Sequence, residues 1–461
     1  MDWANGYPAE TNYRLGFYRN LAPSHLAMIC HLQGVQAPSG PLTYLELGCG
    51  AGLSTILLAA ANPDSTFIGV DFSPSHIVEA TSVARSADLQ NATFIEASFD
   101  DDALLEKLPP SDIISLHGVY TWVAPRQRKA IHNILLQRLK PGGLFYVAYN
   151  DMVTSSYEIV LQRALRELSK AGRPESLSSA FDKIKQMKSL GAEYFKHNPA
   201  VTRILEELDS KDSSYLVHEY LTDHWSPYFF QDLARELAEC KLSFLGSAAP
   251  ADNRDEYLVS SELSALIKTE DDPHARQFLI DICANRRFRN DVFIRGYKSL
   301  EPQERMNILR RTTFALAKPR FEVELNVQIA RGILQLRRPM FAAILDHLQE
   351  SPKTLEHLQL DDNAIAEGIT LLSQAALIHP ATPEPVNPSA ALRLNQTMFA
   401  TEEGRHRYGF GAAPRIGSAI PIAATDRIHL ASMVSADGSL TAPSSLQQER
   451  LQFWQHLQIG R

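Results

Sequence analysis

The stretch Tyr44-Leu-Glu-Leu-Gly-Cys-Gly-Ala-Gly52 decides the fold of this 461-residue chain. Apolar and strand-forming residues lead into a Gly-x-Gly-x-Gly turn, and the apolar run at 53–61 that follows predicts a buried helix. Glycines let the backbone approach a ligand closely, and the first turn of a helix offers free N–H groups. The order of strand, glycine turn and helix is therefore typical of a nucleotide-binding loop.

A second apolar run, at 65–71, ends in Asp71, and its distance from the glycines suits an acid that binds ribose hydroxyls. NAD-dependent enzymes use Gly-x-Gly-x-x-Gly, whereas here the third glycine comes one residue earlier. The set Glu46-x-Gly-x-Gly-x-Gly52 with Gly69-Val-Asp71 resembles the class I S-adenosylmethionine-dependent methyltransferases. The resemblance implies an α/β fold with a Rossmann-like seven-stranded sheet, and S-adenosyl-L-methionine as cofactor with S-adenosyl-L-homocysteine as product. An unrelated βαβ unit with a glycine turn is the alternative.

Further strands follow in alternation with helices. We predict them at 92–97, 111–116 and 144–149, with a sixth and a seventh near 242–246 and 289–296 to complete the sheet. Ligands in an open α/β sheet lie beyond the carboxyl ends of the strands. The residues that follow these strands are therefore the expected site residues.

The resemblance also implies which residues contact the cofactor. Glu46 would orient the methionine end of the cofactor or the loop itself, and Asp71 would accept both ribose hydroxyls. Ser98 and Phe99 follow the third strand, where members of the family contact adenine, and the acids at 100–102 would only cap the next helix. The predicted cofactor-binding residues are Tyr13, Glu46, Gly48, Cys49, Gly50, Gly52, Asp71, Phe72, Ser98, Phe99 and His117.

The predicted catalytic residues follow the fourth strand or end the fifth; they are His117, Tyr120, Trp122, Tyr149 and Asn150. A lysine amine, with an ordinary pKa of about 10.4, must be neutral before it attacks, and aromatic rings would lower that pKa by desolvation. Asn150 would aim the lone pair and His117 could take the proton. A phenol, a carboxylate or a small amine could use the same residues, and a purely structural role for His117 is the alternative.

An aromatic segment precedes the first strand. Its members Tyr7, Tyr13, Phe17 and Tyr18 either fold over the cofactor as a lid or pack on the sheet. Together with the motifs at 116–122, 149–150, 215–221 and 287–293, this segment resembles the bacterial methyltransferases that carry a methyltransferase regulatory region. That group includes the rickettsial protein-lysine methyltransferases, so the resemblance implies a protein substrate.

We divide the chain into five segments: a first part of the cofactor-binding domain (1–154), a helical insertion (155–214), a completion of the methyltransferase domain with the regulatory region (215–298), a small α+β module of winged-helix type (299–380) and a C-terminal region (381–461). The insertion would form a substrate wall or a homodimer interface. Beyond residue 299 we predict a strand at 320–325 and loops at 409–415 and 435–439. No catalytic constellation stands out there, which favours an interaction or substrate-docking module.

Composition limits the class of protein. A net charge of −8, with 21% charged and 44% hydrophobic residues, is typical of a soluble globular protein and argues against nucleic-acid binding. The four cysteines form no Cys-x-x-Cys pair, which argues against a zinc site or a disulfide framework. No leader and no run of about 18 apolar residues is present. We expect a cytoplasmic protein without a metal or a membrane span.

Three functions are therefore considered from the sequence. The first is methylation of protein lysine side chains, and the second is N- or O-methylation of a small molecule. The third is binding of S-adenosylmethionine without catalysis, because the glycine loop and Asp71 speak for binding rather than turnover.

Overall fold

The computed structural model describes residues 15–169, 176–208, 213–384, 386–432 and 448–459. Tyr7 and Tyr13 of the aromatic segment, and the predicted loop at 435–439, lie outside the described residues. Within the described ranges, no helix is both long enough and apolar enough to cross a bilayer.

A seven-stranded sheet forms the centre of the fold, which confirms the predicted fold class. Its strands are β1 (Thr43–Leu47), β2 (Thr66–Asp71), β3 (Ala92–Glu96), β4 (Ser111–His117), β5 (Leu139–Asn150), β6 (Ser243–Ser247) and β7 (Phe288–Ile294). They lie in the order β3-β2-β1-β4-β5-β7-β6, with β1 to β5 parallel and β7 antiparallel to both of its neighbours. The order reverses between β1 and β4, so the carboxyl ends of these two strands flank the crevice in which such sheets bind ligands.

Helices cover both faces of the parallel part; they are α1 (Pro23–Leu32), α2 (Leu53–Ala61), α3 (Pro74–Ser86), α4 (Asp102–Lys107) and α5 (Pro125–Arg138). Three of them begin with proline at the first or second position, where the missing N–H costs nothing. Asp101 caps α4 by accepting a hydrogen bond from the Ala103 N–H at 2.9 Å, as predicted for the acids at 100–102. All nine residues of α2 are buried, which accounts for its uninterrupted apolar sequence.

The segment after β5 is helical, with α6 (Met152–Ser155), α7 (Ile159–Leu168), α8 (Leu177–Ser189), α9 (Glu193–His197), α10 (Pro199–Leu208) and α11 (Ser213–Tyr220). Helices α7 to α11 share a hydrophobic cluster that is separate from the clusters on the two faces of the sheet and includes Leu165, Phe181 and Leu205. The separate cluster is what an insertion requires, because apolar helix faces must be buried against one another. The domain boundaries themselves remain a prediction.

Between the insertion and β7 lie α12 (Phe230–Glu239), α13 (Asp255–Leu258), α14 (Ser261–Ile267) and α15 (Pro273–Ala284). A buried ionic cluster ties α15 to the end of the sheet. The Arg289 guanidinium donates to Asp291 Oδ2 at 2.7 Å and to Asp281 Oδ1 at 2.6 Å, and it lies 4.4 Å from the centre of the Phe230 ring. Two carboxylates around one buried cation compensate its charge, as burial demands.

The remaining elements are α16 (Pro302–Arg311), β8 (Phe314–Leu316), β9 (Asn326–Ile329), β10 (Gly332–Gln335), α17 (Pro339–His347), α18 (Asp362–Gln374), β11 (Ile378–Pro380), α19 (Ser389–Phe399), α20 (Glu402–Arg407), β12 (Phe410–Ala413), β13 (Ser418–Pro421), α21 (Ala424–Ser432) and α22 (Gln448–His456). The strands form three two-stranded antiparallel sheets, β8–β11, β9–β10 and β12–β13. This is the smaller α+β part that the sequence predicted.

Two local predictions in this part are wrong. Residues 320–325 form no strand, because a 3₁₀ turn at Arg320–Glu322 follows Pro319, and strand β9 begins only at Asn326. The stretch at 409–415, predicted as a loop from its glycines and proline, contains β12, which pairs with β13. Its small residues permit close packing against α19, where Asn395 donates from Nδ2 to the Ala412 carbonyl and accepts from the Ala412 N–H.

The C-terminal part packs directly on the elements that carry the glycine turn. Asn62 Nδ2, just after α2, donates to the Gly417 carbonyl at 3.0 Å, and Arg393 Nε donates to the Ala87 carbonyl at 3.1 Å. Ser24 Oγ on α1 donates to the Ile416 carbonyl at 2.9 Å. The C-terminal part therefore covers the outer face of α2 and shares one hydrophobic core with the N-terminal part.

Candidate active site

One cavity of about 320 Å³ lies at the carboxyl ends of β1, β2 and β4. We divide its lining into two ends. The Asp71 end consists of Gly50, Asp71, His76, Glu79 and Arg407, and the His117 end consists of Tyr18, His117, Trp122, Asn150, Glu219 and Phe288. The position of the cavity is that expected from the strand order.

The three glycines of the turn have different surroundings, although all have positive φ. A Cβ atom on Gly48 would lie 2.7 Å from a methyl group of Val119, and one on Gly52 would lie 2.7 Å from the Ala80 Cβ and the Phe94 ring. A Cβ atom on Gly50 would meet no atom within 4 Å. Gly48 and Gly52 therefore permit internal packing, whereas Gly50 leaves its side of the cavity open for a ligand.

The Asp71 carboxylate fixes the turn from the end of β2. Its Oδ2 accepts from the Gly50 N–H at 2.9 Å, and its Oδ1 accepts from the Ser73 N–H at 3.0 Å and lies 3.2 Å from His76 Nδ1. The hydrogen bond to Asp71 raises the pKa of His76 above its ordinary value, although burial opposes this. Because each carboxylate oxygen has two lone pairs, Asp71 retains acceptor capacity toward the cavity that it lines.

Glu46 lies beneath the turn and also lines the cavity. Thr55 Oγ1 on α2 donates a hydrogen bond to its carboxylate. Burial raises the pKa of Glu46 to about 7, with a smaller contribution in the same direction from Asp71 and an opposing one from the Thr55 bond. With this pKa, the charged and the neutral form of Glu46 have similar free energies near neutral pH. A cation bound beside the carboxyl group would therefore favour its charged form.

Arg407 brings the C-terminal part into the wall of the cavity. Its Nε donates to Glu79 Oε1 on α3 at 3.0 Å, and a second contact joins Arg407 Nη2 to the same oxygen. Both side chains line the Asp71 end. Neither was predicted, since the two residues are 328 positions apart.

His117 is held by a chain of hydrogen bonds on its Nδ1 side. The Tyr146 hydroxyl lies 2.8 Å from His117 Nδ1 and donates to Asn290 Oδ1 at 3.0 Å. Because the tyrosine proton points to Asn290, the tyrosine oxygen accepts from His117, which assigns the ring proton to Nδ1 and leaves Nε2 with its lone pair. Burial lowers the pKa of His117 to about 3, which favours a hydrogen-bond acceptor over the predicted proton acceptor.

Aromatic rings surround His117. The Tyr18 ring is stacked on the imidazole with the centroids 3.6 Å apart, and the Phe288 ring meets it edge-on at 6.1 Å. Of the predicted aromatic segment, Tyr18 thus lies on the cavity, while Phe17 is buried in the core and contacts Phe410. Of the two described members of the segment, one therefore lines the cavity and the other packs in the core, and closure of the segment over the cofactor stays a prediction.

Trp122 and Asn150 form the opposite wall of the His117 end. The Trp122 ring is stacked on Trp225 with the centroids 5.8 Å apart. Asn150 Oδ1 accepts from Thr121 Oγ1 at 2.9 Å and faces Trp225 Nε1 at 3.4 Å. Since both bonds fall on the carbonyl oxygen, the amide group of Asn150 is oriented within a cavity wall.

The structure does not bring Tyr120 or Tyr149 to the cavity. Tyr120 is fully buried, and its hydroxyl contacts His132 and Glu236 on the helix side of the sheet. Tyr149 is also fully buried, and its hydroxyl donates to Asp291 Oδ2 at 2.8 Å. Tyr149 faces away from the cavity because it alternates along β5 with Asn150, and Tyr120 does so because the 3₁₀ turn at Tyr120–Trp122 directs its first and third side chains to different sides.

Of the other predicted cofactor-binding residues, Gly52 does not line the cavity and Tyr13 lies outside the described residues. Cys49, Phe72, Ser98 and Phe99 line the cavity, and Ser98 Oγ accepts a hydrogen bond from Gln127 Nε2 at 3.4 Å. Lining residues that the sequence did not indicate as site residues include His76, Glu79, Gln127, Glu219, Phe288 and Arg407. Among the described residues, no group of His, Cys, Asp and Glu side chains has the arrangement of a metal site.

Comparison with known proteins agrees with the geometry. Residues 39–190 match a family profile described as a methyltransferase domain, and residues 212–295 match one described as a predicted methyltransferase regulatory domain. An uncharacterized protein of Synechocystis sp. is 35% identical over 439 residues, which cover 92% of this chain and 86% of that protein. The chain belongs to the S-adenosylmethionine-dependent methyltransferases that carry a methyltransferase regulatory domain.

Two further relatives of this methyltransferase come from Rickettsia. An uncharacterized protein of Rickettsia prowazekii is 28% identical over 346 residues, covering 69% of this chain and 58% of that protein. The structure of PKMT2 from Rickettsia typhi in complex with AdoHcy has the same fold, with a TM-score of 0.66 at 18% identity over 91% of this chain and 88% of that chain. The common fold therefore includes the C-terminal part.

The residues of the cavity fit the cofactor of the family. The enzyme uses S-adenosylmethionine, and the open space at Gly50, the carboxylate of Asp71 and the ring of Phe99 supply room, a ribose acceptor and an apolar surface. The loop leads directly into α2, and the N-terminus of a helix suits a ligand of this kind.

Proposed function

We propose that this methyltransferase transfers a methyl group to the nitrogen of protein lysine side chains. The observation that carries the proposal is the composition of the His117 end. The aromatic rings of Tyr18, Trp122 and Phe288 line the His117 end, next to the Asp71 end. The amide of Asn150 lies among them. Such a channel suits a long apolar side chain that ends in a nitrogen.

The cofactor, when bound, supplies a methyl group on a positively charged sulfur. We propose that Asp71 binds the ribose hydroxyls, that Glu46 faces the amino group of the methionine end, and that the backbone around Gly50 lies against the same end. Ser98 and Phe99 would contact adenine. Asn150 and the His117 Nε2 lone pair would orient the acceptor nitrogen, because both offer hydrogen-bonding groups held by partners outside the cavity.

The similarity in fold to PKMT2 supports a protein acceptor, and the resemblance of the sequence motifs to the rickettsial protein-lysine methyltransferases points the same way. A small-molecule acceptor is the second candidate, favoured by the enclosure of the His117 end between Tyr18 and Trp122. The two candidates differ in what must reach the cavity: a side chain on a folded protein, or a free molecule.

Transfer of tritium from labelled S-adenosylmethionine distinguishes these candidates. The enzyme and its Asp71→Asn variant are incubated with lysate of the source cells, and protein and small-molecule fractions are counted separately. Label in protein bands, mapped to lysine by mass spectrometry, supports the proposal. Label confined to small molecules refutes it.

A matched control separates cofactor loss from unfolding. Asp71→Asn should lose label in all fractions, because the ribose contact is lost. Asp64→Asn changes an exposed carboxylate in the turn before β2, which does not line the cavity, and should leave labelling unchanged. Equal labelling by the wild-type enzyme and Asp71→Asn would contradict the assignment of Asp71.

A further inference from the structure

Glu219 places a carboxylate at the His117 end, opposite the cofactor loop. It comes from α11, in the regulatory domain, and lines the cavity together with Tyr18 and His117. Its charge acts on the Tyr18 hydroxyl, whose pKa is raised by burial and by Glu219. Because Tyr18 is stacked on His117, this electrostatic effect indicates that Glu219 lies near the aromatic walls of the His117 end.

One arginine lies near two carboxylates, Glu158 and Glu219. Arg287 is paired with Glu158 at 2.8 Å, and the Tyr220 hydroxyl donates to the same glutamate at 3.4 Å. Burial raises the pKa of Glu219 to about 7; Glu158 adds to this shift and Arg287 opposes it. When both glutamates are ionised, their charges together exceed that of Arg287, which favours the approach of a further cation to Glu219.

We infer that Glu219 is the residue that selects a cationic amine as methyl acceptor, by pairing with its ammonium group and taking one proton from it. The inference rests on the proposed function and narrows it, because a phenol or carboxylate acceptor would gain nothing from a carboxylate at this position. A carboxylate attracts an ammonium ion by its full negative charge, and the faces of aromatic rings attract it by their partial negative charge. The two interactions therefore favour the same kind of ligand.

The proton balance is simple. An N–H bond of the ammonium breaks, an O–H bond forms on Glu219, and the nitrogen keeps the electron pair that it needs as a nucleophile. Burial raises the pKa of Glu219 to about 7. Desolvation lowers the pKa of the amine, so the difference between the two pKa values becomes smaller and proton transfer becomes easier. His117, whose pKa of about 3 disfavours its cationic form, is the weaker acceptor for this proton. The proton passes from Glu219 to water when the product leaves.

Binding of n-butylammonium, a mimic of the lysine side chain, tests the inference without turnover. The enzyme is saturated with S-adenosylhomocysteine, and n-butylammonium or butyrate is titrated while the tryptophan fluorescence is followed, to which Trp122 in the cavity wall and Trp225 stacked on it contribute. We expect saturable binding of n-butylammonium and none of butyrate. In Glu219→Gln the affinity for n-butylammonium should fall at least tenfold, while the affinity for S-adenosylhomocysteine is unchanged.

Glu262→Gln is the matched control, because Glu262 belongs to the same regulatory domain and is exposed on α14. It should bind n-butylammonium as the wild-type enzyme does. Equal affinity for n-butylammonium in Glu219→Gln and the wild-type enzyme, or no binding to either, overturns the inference. The proposed function fails separately, if the wild-type enzyme labels no protein.

The pH dependence gives a second readout. Methyl transfer to lysine by the wild-type enzyme should rise with pH through about 7, the pKa of Glu219, because the acid form cannot accept a proton. Methyl transfer by the Glu219→Gln variant should be slower, and its rate should not show the rise that the titration of Glu219 causes. Only the pH dependence set by the amine should remain. A profile with the same rise in both enzymes would assign proton transfer to another group.

Discussion

Gly50 and Gly52 allow a sharp test of how the turn works, because the same substitution should have different effects at the two positions. Each has a positive φ, +54° and +74°, so alanine costs about 1–2 kcal/mol of backbone strain at either site. At Gly52 the new methyl group would also lie 2.7 Å from the Ala80 Cβ and the Phe94 ring. Overpacking of this kind costs a further ~1–3 kcal/mol.

The expected loss of stability is therefore about 1–2 kcal/mol for Gly50→Ala and about 2–5 kcal/mol for Gly52→Ala. The loss of ligand affinity should instead be larger for Gly50→Ala than for Gly52→Ala, since of these two glycines only Gly50 faces open space in the cavity. Gly50→Ala should weaken S-adenosylhomocysteine at least tenfold, or by about 1.4 kcal/mol. Gly52→Ala, where it is folded, should bind nearly as the wild type does.

Thermal melting with and without S-adenosylhomocysteine, together with calorimetric titration, measures both effects. About 1 kcal/mol corresponds to ~2–4 °C in the melting temperature of a domain of this type, so the two variants should differ clearly without ligand. Full ligand affinity in Gly50→Ala would refute the reasoning, because it would mean that the cofactor does not approach this part of the backbone. Equal melting temperatures would refute the packing argument.

Three further predictions concern charged residues. Asp71→Asn should lower the pKa of His76, since the hydrogen bond to Asp71 raises it; an NMR titration that shows no change would contradict that contact. Arg407→Gln should weaken S-adenosylhomocysteine about twofold to fivefold, the range for a partly exposed ion pair, whereas His406→Gln, a change at an exposed neighbour, should not; calorimetry decides. Arg289→Met should cost about 3–5 kcal/mol by leaving Asp291 buried without its cation and Asp281 with Arg286 alone, and denaturant unfolding that shows a smaller loss would argue against a tight cluster.

The sequence predicted the features that depend on local pattern. The glycine turn, the strands of the sheet, α2 and the cap at Asp101 follow from residues within a few positions of one another. Trp122 and Tyr120 show where this reasoning ends, because both follow β4 but only Trp122 faces the cavity. Sequence spacing could not say which of the two turns inward.

Glu219 and Arg407 could not be predicted for a different reason. Each reaches the cavity from an element far along the chain, and no motif marks a single glutamate or arginine on a helix as a site residue. Arg407 also gives the C-terminal part, for which the sequence indicated only an interaction or docking role, a place in the wall of the cavity. Its contact with Glu79 depends on the packing of α20 against the cofactor-binding part, which is a property of the folded chain.

The complete burial of α2 has a consequence for biosynthesis. Its outer face is covered by elements after residue 389, so a ribosome finishes the helix long before it makes the residues that cover it. Until then the growing chain exposes an apolar helix face directly behind the cofactor loop. Synthesis of this enzyme should therefore depend on chaperones for as long as the C-terminal part is missing, and the cofactor loop should gain its final rigidity only after that part has folded.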